Sequence, residues 1–97
     1  MPADEGWRLD RFEVELDAWA DREGVPPDLL LPILAWIVGR VDDPYLGVQR
    51  AEGFENLWHG SVPDTFDPLS GRLVTCSYWI EEHTKSVRCD NFGLQRP

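Results

Sequence analysis

Arg72-Leu73-Val74-Thr75-Cys76-Ser77-Tyr78-Trp79-Ile80 and Ser86-Val87-Arg88-Cys89-Asp90-Asn91-Phe92 decide how this chain folds. β-branched and aromatic residues are dense in both runs, apolar and polar side chains largely alternate, and no proline or glycine interrupts. That pattern describes half-buried strands. Between them Glu81-Glu82-His83-Thr84 is a polar turn of hairpin length. With those four residues as the loop, Ile80 faces Lys85, Tyr78 faces Val87 and Cys76 faces Cys89. One face then carries Val74, Cys76, Tyr78, Ile80, Val87 and Cys89, and this is the expected core side. The other carries Leu73, Thr75, Ser77, Trp79, Arg88, Asp90 and Phe92, a mixed polar and aromatic surface. In this register Cys76 and Cys89 are near enough for a disulfide. Two free thiols packing as small hydrophobes are expected instead.

Upstream of the hairpin, Tyr45 to Ser70 is rich in turn residues, with Gly47, Gly53, Gly60, Pro63 and Pro68 punctuating it. Asn56 to Val62 is the one stretch there that reads as a strand, and Val62 to Gly71 reads as a loop. Further back, Leu29 to Gly39 is eleven residues without a charge, Pro32 among them. Proline is best tolerated in a first turn, so the regular helix is expected to begin near Pro32 and to run to about Val41. A helix that is apolar all round is expected to be buried on several sides. Asp42-Asp43-Pro44 ends it.

The N-terminal segment supports two readings. Leu9, Phe12, Leu16 and Trp19 recur at helical spacing, while Phe12, Val14 and Leu16 alternate with Glu13 and Glu15 as in a strand. The Phe12/Val14 pair favours a short strand, followed by a helical turn over Asp17–Glu23 that stops at Gly24.

At 97 residues the chain has room for one domain, and 42% hydrophobic residues with five Trp give it a core. No run reaches the ~18 apolar residues of a membrane span. Asp4 and Glu5 stand where a signal peptide carries positive charge, so a cytoplasmic protein is expected. The net charge is −9, and residues 1–43 hold eleven acids against four arginines. That half is a poor nucleic-acid surface, because phosphate binding depends on Lys and Arg. Two cysteines and two scattered histidines offer no zinc-like spacing, so neither a metal nor a cofactor is expected.

The order strand, helix, helix, strand, strand, strand resembles the RelE/ParE superfamily of bacterial toxin–antitoxin proteins. Pro26-Pro27-Asp28 with Asp43-Pro44-Tyr45-Leu46-Gly47 looks like that family's second helix and exit loop. Asn56-Leu57-Trp58 looks like the start of a central strand, and Arg72-Leu73-Val74 like the start of its C-terminal hairpin. The resemblance implies an α+β domain with an antiparallel sheet packed on two helices and a cognate antitoxin or other protein as partner. It implies action on the ribosome and its mRNA as an endonuclease, or on DNA gyrase without chemistry. For the cleaving members, arginines hold the scissile phosphate. Arg72 falls where the family commonly has an arginine at the start of the third strand, Arg50 falls in the basic loop before the second strand, and Arg88 and Trp79 would contact substrate from the exposed face. An arginine cluster would stabilise the charge of the transition state, with His59 or His83 as acid or base. Departures from the pattern are Ser61 where a strand-end arginine is common, the absence of a C-terminal Tyr or His, and the acidic balance. Strict alternation also puts Arg72 on the core face with Val74. These departures support a second reading: a non-catalytic acidic interaction protein on the same scaffold, steered to a basic partner by its charge.

Each candidate also has a plain structural role. Arg72 can close a strand end against Asp64 or Asp67. Arg88 can form a surface ion pair with Asp90, worth about 0–1 kcal/mol. His83 suits an exposed turn and His59 a hydrogen-bonded structural position. Trp19 and Trp36 are expected in the core, and Trp58 and Trp79 are the interface candidates.

Overall fold

The computed structural model describes residues 6–97; Asp4 and Glu5 lie outside them. The elements run β1 (Arg8–Asp10), α1 (Phe12–Glu23), α2 (Pro27–Gly39), β2 (Gln49–Arg50), β3 (Leu57–Ser61), β4 (Leu73–Glu81) and β5 (Ser86–Gln95). They form one five-stranded sheet in the order β1-β5-β4-β3-β2. The three pairings from β2 to β5 are antiparallel, and β1 lies parallel to β5. The α+β class and the strand–helix–helix–strand order stand. β2 is a further short strand where a loop is expected, and the β1 edge makes the sheet mixed.

The N-terminal segment resolves differently from its expectation. The strand comes earlier, at Arg8–Asp10, and the helix already begins at Phe12. Arg11 makes the corner between them in the left-handed region, with φ of 68°. Glu13 and Glu15, which mimic strand alternation, sit in the helix's first turn, where negative charge complements the exposed N–H groups. Phe12, Leu16 and Trp19 turn inward at helical spacing and Val14 is left exposed. Gly24 ends α1 as expected, at φ 67° with its N–H donating to the Ala20 carbonyl.

The second helix starts at Pro27, five residues before Pro32. Pro26 is held extended by the proline that follows it, and Pro27 at the first helical position needs no N–H partner. Pro32 lies inside the helix, where it leaves only the carbonyl of exposed Asp28 without a helical donor. The helix is also less covered than its sequence implies. Ile33, Trp36 and Ile37 are buried, whereas Leu31, Leu34, Ala35 and Val38 face outward.

The hairpin carries the core face as expected: Val74, Cys76, Tyr78, Ile80, Val87 and Cys89 are all buried. Its register is different. Lys85 adopts φ of 52° and closes the turn with its N–H on the Glu82 carbonyl. Glu81 therefore pairs with Ser86, Ile80 with Val87 and Tyr78 with Cys89. A slip of two residues preserves which side each residue faces, so the expected core set survives the wrong register. Past Tyr78 the ladder is irregular: Ser77 pairs with Asn91 and Cys76 with Phe92, leaving Asp90 as an extra residue. This bulge reverses the phase of β5 and turns Phe92 into the core, where it stacks on Trp19 with ring centroids 5.6 Å apart. Phe92 was expected on the exposed face. Cys76 and Cys89 are not directly opposite each other; both are buried and unbridged. Burial, with the neighbouring Cys89 thiol, holds the Cys76 thiol well above its ordinary value.

One buried cluster joins both helices to the inner face of the sheet. Its floor is Tyr78, tilted against Phe12 and Trp36. The Tyr78 hydroxyl donates to the Pro44 carbonyl and accepts from the buried Arg40 guanidinium at 3.1 Å. Arg40 also donates to the carbonyls of Trp36 and Leu46 and lies 4.4 Å from the Trp36 ring centre. A cation thereby ties the end of α2 to the exit loop and to β4 with no carboxylate partner among the described residues. On the loop side, Thr65 donates to the Val62 carbonyl and accepts the Val74 N–H, pinning the long connection to the start of β4. No helix among the described residues is long and apolar enough to cross a membrane.

Candidate functional site: the open face of the sheet

The helices cover one side of the sheet and leave the other bare. Directly paired residues point the same way, so the ladder defines rows across this open face. Gln49, His59, Ser77 and Asn91 make one row over four strands. Leu57, Trp79, Arg88 and Asp10 make the next. Ser61, Thr75 and Gly93 make a third on the opposite side of the histidine row.

The bulge shapes this surface. Asp90, the extra residue, accepts a hydrogen bond from Ser77 Oγ at 2.8 Å. With no side chain at Gly93, a pit of about 130 Å³ opens between Thr75, Ser77, Asn91, Gln95 and His59. Its walls offer hydroxyl, carboxamide and imidazole groups, suited to a small polar group. Beside the pit lies an aromatic platform: Phe54 meets Trp79 edge-on at 5.8 Å, and the Arg88 guanidinium lies 6.0 Å from the Trp79 ring centre. Gly60 allows the neighbouring loop to close down, since a Cβ there would stand 2.8 Å from the Gly47 carbonyl oxygen.

His59, Arg88 and Trp79 of the sequence-derived candidates share this face. Arg50 does not. It pairs with Trp58, which in turn pairs with buried Tyr78, so Arg50 belongs to the helix-covered side at the sheet's edge. Arg72 is also elsewhere, as strict alternation dictates. Its backbone bridges to Asp67, and its side chain lines a groove of about 450 Å³ between the α1–α2 corner and the 65–72 loop. Glu23, Asp28 and Asp67 surround that groove. The expected ion pair of Arg72 with Asp64 or Asp67 does not form, nor does that of Arg88 with Asp90. Arg11–Glu15 is the one ion pair among the described residues. His83 lies exposed in the turn. Trp19 and Trp36 are core, and Trp58 packs inward, edge-on to Tyr45 at 5.0 Å. Among the described residues no three His, Cys, Asp or Glu side chains come together as a metal site.

Two features were missed in the sequence. The pit depends on a bulge whose one sequence sign is the consecutive polar pair Asp90-Asn91 between inward Cys89 and Phe92. Arg40 carried a weak signal, because a basic residue just after an apolar helix commonly reaches back to its last carbonyls. The fold and its open face define an α+β domain with a polar pit and one aromatic platform on a half-covered sheet. No protein-family model, curated protein or solved structure matches the chain.

Proposed function

We propose that this chain is a toxin-like protein of the RelE/ParE type, of bacterial and cytoplasmic origin, that acts by occupying a partner rather than by cutting RNA. The element order and the sheet packed on two helices support the scaffold. One observation carries the non-cleaving mode: Arg50 and Arg72 lie away from the face that holds His59. Of the candidate arginines only Arg88 is left there, Arg8 on the same face stands two rows away from His59, and a phosphorane-like state needs several converging donors. The acidic balance of residues 1–43 also suits a protein partner, whether an antitoxin or a target, better than a nucleic acid.

Forced expression should arrest growth, and in cell-free translation the mRNA should stay full length. Harmless expression at high level overturns the toxin reading. A second reading, the ribosome-dependent mRNA endonuclease, has its own support in the His59 pit beside the Trp79–Arg88 platform. Mapped mRNA cuts that vanish in His59→Ala, and persist in Arg72→Ala, would establish it instead. Gyrase supercoiling measured on the same protein tests gyrase as the occupied target.

A further inference from the structure

Helix α2 has an outward seam. Leu31, Leu34, Ala35 and Val38 stand at i, i+3, i+4 and i+7, the spacing at which one helix receives another. The three large side chains are 72%, 46% and 65% exposed, and no charge interrupts the helix from Leu29 to Gly39. A helix apolar on all sides normally has both faces covered. Here the inner face meets the core and, among the described residues, the outer one meets nothing.

What surrounds the seam selects its occupant. Asp28 stands at its start, and Asp42 and Asp43 follow its end. Along one flank runs a groove lined by Glu13, Val14, Leu34 and Ile37. Arg11 also borders that groove, but its guanidinium is held by Glu15 at 2.8 Å. Along the other flank a shallow hollow beside Ala35 and Trp36 is closed by Asp64. The apolar strip is thus framed by carboxylates at both ends and on both sides. A second copy would bring the same acids against these and be repelled. A strand finds no backbone donors or acceptors along a helix wall.

We propose that this seam docks an amphipathic helix from another protein, about three turns long, with an aliphatic stripe and Lys or Arg along both of its edges. The small Ala35 at the centre lets the two backbones approach closely. The proposal rests on α2 and its surroundings alone, and is independent of whether the chain is toxic.

The probe is a synthetic labelled helix with Leu at i, i+3, i+4 and i+7 and Lys on both flanks, titrated with the full chain by fluorescence anisotropy. A second peptide carries the same Leu stripe with Glu flanks. The Lys peptide is expected to bind, to weaken as salt rises, and to lose about tenfold or more in affinity with Leu34→Lys or Leu31→Ser. Both variants change exposed side chains, and unaltered melting curves confirm that they fold. Equal binding of the Lys and Glu peptides overturns the proposal, as does absence of binding or affinity indifferent to both variants. Sedimentation of the chain alone supplies the last outcome: a dimer dissolved by Leu34→Lys would assign the seam to a second copy and overturn the proposal.

Discussion

The two faces of the sheet obey different rules although the same strands make both. On the covered face Val74, Cys76, Tyr78, Ile80, Val87, Cys89 and Phe92 are each no more than 3% exposed. On the open face Thr75, Ser77 and Trp79 of β4 stay half-buried, and Arg88, Asp90 and Asn91 of β5 are exposed. The covered face is a close-packed interior in which every position is constrained by neighbours. The open face has polar groups set around a pit, with room for a ligand to complete the packing. Stability should therefore reside on one side and recognition on the other.

Phe92→Ala is the harshest test of that division. Its ring is buried on the covered side against Trp19, and loss of a buried aromatic costs about 3–5 kcal/mol. The expected result in urea unfolding is a midpoint lowered by a large share of the domain's stability. Deleting Asp90 should cost far less: Cys89 and Phe92 then stand two residues apart, alternation keeps both inward with Phe92 still opposite Cys76, and only the bulge and the Ser77 hydrogen bond of the open face are lost. A deletion as costly as Phe92→Ala would show that the bulge itself holds the covered face together.

Alkaline pH is a milder probe, aimed only at the covered side. Burial raises Cys76 and Tyr78 above their ordinary values, against the pull of Arg40 on both. Tyr45, packed edge-on to Trp7 and Trp58, is pushed up to about 12 by burial and by its hydrogen bond to Glu82. Each group is protonated more firmly when folded than when unfolded. Its stabilising contribution is therefore complete below the unfolded value, 9.0 for the thiol and 10.0 for the phenols, and is lost as pH rises through the folded value. Unfolding midpoints should hold steady up to about pH 9 and fall beyond it. Tyr45→Phe should flatten the part of that fall between the unfolded 10.0 and about 12. An unchanged slope in the variant would remove Tyr45 from the account.

Trp79→Ala is expected to have the smallest effect on stability, about 1 kcal/mol or less, because its platform is not part of the buried cluster. It should nevertheless weaken any ligand of the open face. A loss of several kcal/mol in thermal unfolding would instead make Trp79 a structural residue and blur the contrast between the faces.

The sequence made the covered face of the hairpin legible because its alternation is regular and tolerates a two-residue slip. It left the reversal at Asp90 unread, since strict alternation counted through Asp90-Asn91 sends Phe92 outward, whereas two successive polar residues there mark the break that a bulge makes. α2 was legible as a helix from its apolar run, but its start was not, because both Pro27 and Pro32 satisfy a first-turn rule. Its unpartnered seam was equally hidden, because composition records that a helix is apolar but not which face a neighbour covers. For the site, alternation correctly placed Arg72 off the exposed face, and Arg88 and Trp79 on it. Arg50 could not be placed, because its two-residue strand has no periodicity. Arg40 was passed over, because its place after an apolar helix is only a weak sign of carbonyl contacts and none of the Trp36 ring, Leu46 and Tyr78 that enclose it.

The parallel pairing of β1 with β5 has a consequence for how the molecule is made. Residues Arg8–Asp10 lie against Ser86–Arg88, so β1 is completed only by β5, about 75 residues further along the chain. Contacts of such long sequence separation form slowly and late. During synthesis α1, α2 and the β2–β3 pair can assemble as they emerge, but β1 has nothing to lie against until β5 is free. A chain that stops short of Ser86 lacks both the partner of β1 and the second half of the hairpin. The sheet is therefore finished only once β5 has emerged, and a product lacking it carries β1 unpaired.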